Sequence, residues 1–153
     1  MEKYPGVGEA HEPESWRKAE KGTLVVTIPS SVLGEVLKAL NKPTSAGEIA
    51  VEERVALVLA AAEQGQKEAQ NLLGIWFGAG IGMVKDAKES VAWFRKAAAQ
   101  GSAGAYYNLA ISLLEGTGVA KDPVEAKRLL RMAADAEDGT LSEKAKKRLK
   151  ALP

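Results

Sequence analysis

Gly80-Ile-Gly-Met-Val-Lys-Asp86 returns 36 positions later as Gly116-Thr-Gly-Val-Ala-Lys-Asp122. Outward from that pair, residues 69–101 and 105–137 align at the same offset without a gap. Ala69 falls on Ala105, Leu73 on Leu109, Gly74 on Ala110, Phe94 on Leu130 and Ala97-Ala98 on Ala133-Ala134. The offset carries backwards, setting Val55, Val58, Ala61, Ala62 and Gly65 against Val91, Phe94, Ala97, Ala98 and Gly101. One step further back, Leu33 and Leu37 match Ala69 and Leu73, although Asn41-Lys-Pro-Thr-Ser45 replaces the glycine loop. Forwards, Ala145 and Leu149 match Leu109 and Leu113. A fixed period of this length marks stacked structural repeats.

Each unit reads as two helices. Apolar positions at 69, 72, 73, 76 and 77 follow the i, i+3, i+4, i+7, i+8 spacing of one helical face, and 91, 94, 97 and 98 form a second. Between them the glycines supply the positive φ that ends a helix. Asp then opens the next one: Asp86-Ala-Lys-Glu89 and Asp122-Pro-Val-Glu125 fit a capping box, as do Ser45-Ala-Gly-Glu48 and Thr140-Leu-Ser-Glu143. A single hairpin of helices cannot bury both its faces, so neighbours must stack. The expected fold is all-α, an α-solenoid of antiparallel helix pairs. Its divisions are a degenerate unit at 30–65, full units at 66–101 and 102–137, and a capping helix at 140–152.

Composition agrees. The 153 residues include 26 Ala and 15 Gly but only eight aromatics, so the core must bring backbones close instead of filling space with rings. Ala is the best helix former, which favours an all-α chain. There is no cysteine, which removes disulfide scaffolds, thiol catalysis and Cys-type zinc sites. A formal charge of +1 gives no global field to recruit nucleic acid or an anionic membrane. The longest apolar run, Val55 to Ala62, is far below the roughly 20 residues of a membrane span. Met1-Glu-Lys-Tyr-Pro-Gly6 lacks the apolar segment of a signal peptide, so a cytoplasmic location is expected.

The stretches Ala69-Gln-Asn-Leu-Leu-Gly-Ile-Trp-Phe77, Gly80 to Asp86 and Trp93-Phe-Arg-Lys-Ala-Ala-Ala-Gln-Gly101 resemble a Sel1-like repeat, a relative of the tetratricopeptide repeat. Ala105-Tyr-Tyr-Asn-Leu-Ala110, Gly116 to Asp122 and Ala133-Ala134 are similar in the second copy. The likeness covers residues 54–137 and departs from the pattern at Ala110 (usually Gly), Ser90 (usually Ala) and Leu129 (usually Trp). It implies a protein-interaction adaptor, mostly bacterial, without catalysis, cofactor or metal. Cysteine-bearing secreted members have been linked to β-lactam binding or hydrolysis, an activity not expected of a chain without cysteine.

The residues offer little chemistry. His11 stands alone in Pro- and Glu-rich sequence without a metal or triad partner. Gly80-x-Gly82 and Gly116-x-Gly118 follow helices and lack a Gly-Lys-Ser/Thr ending, so they read as helix punctuation. The carboxylates at Glu52-Glu53 and at Asp135 to Asp138 read as a solvated face and a turn. Lys144-Ala-Lys-Lys-Arg-Leu-Lys150 carries five basic residues. It reads as the polar outer face of a cap, with a nucleic-acid contact as the lesser reading.

A second stripe of the first helix remains once Leu109 and Leu113 are assigned to the core: Tyr107, Ile111 and Leu114, with Glu115 beside it. Its counterparts one unit earlier include Asn71 and Ile75. By analogy with related repeats this stripe lines the concave groove, so Asn71, Ile75, Tyr107, Ile111, Leu114 and Glu115 are the candidate partner-binding residues, suited to a peptide or helix of a protein partner. The alternative is that they pack against the cap or the N-terminal segment. One concrete form of such a module is a bacterial immunity or regulatory subunit that blocks a cognate toxin or enzyme.

Residues 1–29 read as a flexible or extended segment, poorly ordered over 1–22 and strand-like over Thr23-Leu-Val-Val-Thr-Ile28, which either lies in the groove or donates an edge. Ser30 to Leu40 has the apolar spacing of a helix.

Overall fold

A computed structural model describes residues 51–153, with side chains from Arg54 onward. The expectations for residues 1–50, including the 1–29 segment, the strand-like stretch, the Ser30–Leu40 helix, the Ser45 box and His11, lie outside the described residues, as do the Glu52 and Glu53 side chains. Every element among the described residues is helical: α1 (Val51–Glu63), α2 (Lys67–Ala79), α3 (Ala87–Ala99), α4 (Ala103–Glu115), α5 (Pro123–Ala134) and α6 (Gly139–Lys150). The starts of α2, α4 and α6 recur every 36 residues, as do those of α3 and α5. This is the expected all-α repeat architecture.

The helix ends follow from local chemistry. At Gly80 and Gly116 the backbone turns left-handed (φ 75° and 71°), and each N–H closes the preceding helix on the Trp76 or Ser112 carbonyl. Asp86 then caps α3 by accepting the N–H groups of Lys88 and Glu89 at 3.1 Å, and Asp122 caps α5 by accepting that of Glu125 at 3.0 Å. The N–H of each capping Asp donates back across the hairpin, Asp86 to the Phe77 carbonyl at 2.9 Å and Asp122 to that of Leu113 at 3.0 Å. The second arm expected of the Asp122 box is therefore replaced: Glu125 turns to Arg128 at 2.6 and 2.8 Å.

One cap differs from its sequence expectation. Asp138, not Thr140, caps α6, accepting the Leu141 N–H at 3.0 Å. Thr140 falls inside the first turn, and Glu143 of the expected box pairs with Lys146 at 3.2 Å. A carboxylate is the stronger acceptor at the positive end of a helix, so the earlier Asp wins.

Packing is continuous through the array. Val55, Val58, Leu59, Leu73, Trp76, Phe77, Met83 and Trp93 form one buried cluster; Val91, Phe94, Leu109, Leu113, Leu129, Leu130 and Ala145 form the next. Ile75 packs against both. Ala97 and Ala133 are fully buried where paired helices meet, while Ala98 and Ala134 are half-buried. Trp93 is buried at the edge between units, with the Lys96 ammonium 4.0 Å from its ring centre. Buried polar groups are tied across helices: Gln70 donates to the Ala62 carbonyl at 3.1 Å and accepts from Gln100 at 2.7 Å. Gly118 marks a close inter-unit approach, since a Cβ there would lie 2.1 Å from the Ala87 carbonyl oxygen.

Candidate protein-interaction groove

The direction of curvature identifies the inner surface. Helix α4 touches both α2 and α6, whereas no Cα of α3 comes within 8 Å of one in α1 or α5. The first helices of successive units thus crowd together on the concave side, and the second helices fan apart outside.

On that inner side lies an open hollow of about 460 Å³. Its walls are Ile75 and Gly78 of α2 and Tyr107, Asn108, Ile111, Ser112 and Glu115 of α4. The floor is formed by Gly74 with Phe94 and Ser90 of α3, and Arg148 of α6 closes one side. Gly74 and Gly78 let α3 come close beneath α2, because neither carries a side chain to meet Phe94 or Ser90. A Cβ at Gly74 would stand 2.6 Å from two ring carbons of Phe94.

The six candidate residues divide. Ile75, Tyr107, Ile111 and Glu115 come together around this hollow. Asn71 lies one turn earlier, where its Oδ1 accepts from Asn108 Nδ2 at 3.0 Å, and borders a larger depression of about 830 Å³ with Tyr106, Met132 and Leu141. Leu114 is half-buried against the second core cluster and lines neither space. The larger depression is bounded mainly by helix N-termini and loop backbone, so the smaller one, with its apolar floor, is the better-formed receptor.

Arg148 is the groove residue the sequence pattern does not single out, because it sits in a run of lysines that reads as a solvated face. Its signal is its spacing: three positions after fully buried Ala145, it falls on the inward side of α6. Its Nε is buried and has no hydrogen-bond partner. Phe94 and Ser112 also escape notice, the one assigned to the core and the other replacing Trp76 of the earlier unit. Chemically the hollow offers an apolar floor, amide and hydroxyl groups, one cation and one carboxylate. That set suits hydrogen bonding and ion pairing with a polypeptide.

Among the described residues no three His, Cys, Asp or Glu side chains gather as metal ligands, and no helix is long and apolar enough to cross a membrane.

Stacked antiparallel hairpins with a concave inner groove define an α-solenoid repeat protein. The Sel1 repeat model matches residues 67–102 and 103–138, and a Sel1 repeat protein from Oxalobacter formigenes is 39% identical, covering 66% of this chain and 74% of that one with a TM-score of 0.59. The chain belongs to the Sel1 repeat family. A protective antigen present in uropathogenic Escherichia coli strains, displaying an SLR fold, is 33% identical over 60% of this chain and 20% of that one, with a TM-score of 0.56. Helicobacter pylori cysteine rich protein B shares the fold at 18% identity, with a TM-score of 0.60 over 74% of this chain and 91% of that one. No match was found among curated proteins. Sel1 repeats generally mediate protein–protein interactions, and proteins built from them are typically non-enzymatic scaffolds.

Proposed function

We propose that the protein is a non-enzymatic adaptor or regulatory module that takes a segment of a partner protein into the groove between α2, α4 and α6. The observation that carries this reading is the position of Ile75, Tyr107 and Ile111. They are half-buried on the inner helices and border the open hollow, Ile75 and Tyr107 also packing in part against the core clusters and Ile111 against neither. Apolar surface held open in this way gains free energy only when a partner covers it. Tyr107 adds a large ring with a polar tip, the side-chain type that dominates interface energetics. Glu115 and Asn108 supply a polar rim that sets orientation, Asn108 being held in place by its hydrogen bond to Asn71.

The test is comparative affinity purification from the native cell, with the full chain and a Tyr107→Ala/Ile111→Ser double variant as baits. A partner retained by the first and lost by the second is expected, with both baits melting at similar temperatures. A partner held equally by the two baits would remove the groove from the interaction, and a bait that no longer folds would assign these positions to the core.

A further inference from the structure

We infer that the groove selects an acidic side chain of its partner, an Asp or Glu next to an apolar residue, with Arg148 as the group that receives it. The inference rests on the reading of the hollow as a binding surface. A buried guanidinium nitrogen without a partner is an uncommon feature, because an unmet charged donor loses its hydration and gains nothing in return. Among the described residues no ion pair joins Arg148 to Glu115 or to any other carboxylate. Nε itself is covered, but the terminal nitrogens of the guanidinium are not buried and pair with no carboxylate, so an incoming carboxylate can meet them through two parallel hydrogen bonds at the edge of the hollow.

The surroundings narrow the ligand. Phe94, Ile75 and Ile111 beside Arg148 call for an apolar side chain adjoining the acid. Glu115 on the same rim disfavours a run of negative charges, which argues against a nucleic-acid backbone and for a single acid within an otherwise apolar or basic segment. The last turn of α6 adds Lys147 and Lys150, which bring a local positive field to this end of the groove and favour the approach of an acidic segment.

The probe is a phage-displayed library of random peptides roughly twelve residues long, panned on the full chain, keeping clones whose binding Tyr107→Ala abolishes. The survivors are expected to share an Asp or Glu beside an apolar residue. For a synthetic survivor, changing the acid to its amide and changing Arg148→Gln should each weaken binding about thirtyfold, with no further loss when combined. Raised salt should weaken the parent pair more than the variants. Survivors without a common acid, or indifferent to Arg148→Gln, would overturn the inference and leave the groove reading standing. A selection yielding no Tyr107-dependent clone would overturn both. The peptide-side substitution leaves the protein untouched, so it decides whether the groove selects an acid even if the Arg148 variant fails to fold.

Discussion

Ser90 on α3 donates its hydroxyl to the carbonyl oxygen of Gly74 on α2 at 2.6 Å, fastening the first hairpin through its backbone. That approach is possible because α2 presents glycine at 74 and 78: a Cβ on Gly78 would stand 3.0 Å from Ser90 Oγ. The next unit carries Ala110, Leu130 and Ala126 where the first has Gly74, Phe94 and Ser90. The exchange is one of volume, since a larger helix residue opposes a smaller partner. Gly74→Ala should therefore destabilise by about 1–3 kcal/mol, because its methyl meets the buried Phe94 ring. Adding Phe94→Leu should recover part of that loss. Urea denaturation of the two single variants and the double measures the coupling; strictly additive losses would refute the volume exchange.

The cap of α6 separates two residues that the sequence leaves close together. Asp138→Ala should cost about 1 kcal/mol by freeing the Leu141 N–H, whereas Thr140→Ala should change stability little. Thermal melts of the two variants decide it. A larger loss at Thr140 would restore the capping box that the sequence suggests.

On the outer surface, the Arg128 guanidinium hydrogen-bonds to Glu125 and holds its carboxyl below the ordinary carboxylate range, against a smaller opposing effect of burial. A folded-state value below the unfolded one stabilises the native state above the unfolded value, and that contribution disappears as pH falls through the folded one. The pair is substantially exposed, with side-chain accessibilities of 58% for Arg128 and 35% for Glu125, so solvent screening keeps its worth small. Glu125→Gln should show a small deficit at neutral pH, shrinking in acid and in high salt. A deficit that grows on acidification would mean the pair is not its source.

Most of the fold was legible because the repeat states it twice. The glycines at 80 and 116 and the caps at Asp86 and Asp122 behave alike in both copies, so each reading checks the other. The groove was legible where the helical period alone decides position, which placed Ile75, Tyr107, Ile111 and Glu115 around one space. It was less so where neighbouring elements decide. Leu114 is three residues beyond Ile111 but packs against the second core cluster, and Asn71 is held aside by Asn108. Arg148 reads as one more exposed cation until the burial of Ala145 shows which way that face of α6 points. A long basic side chain can lay its stem along an apolar wall, which residue type alone does not reveal.

The contrast between Ile111 and Leu114 gives the groove its plainest test. Both are half-buried apolar residues of α4, yet Leu114 packs on the closed core cluster and Ile111 borders the open hollow. Truncating Leu114→Ala should lose about 1–2 kcal/mol, the partial form of a core deletion, with affinity for a groove ligand largely kept in the folded fraction. Ile111→Ser should do the reverse, leaving the melting temperature within a few degrees while weakening the ligand about tenfold, the scale of one lost apolar contact at the centre of an interface. Parallel melts and titrations with one groove-dependent peptide separate the two effects. If Ile111→Ser unfolds the chain while Leu114→Ala abolishes binding, the open side of α4 has been assigned the wrong way round.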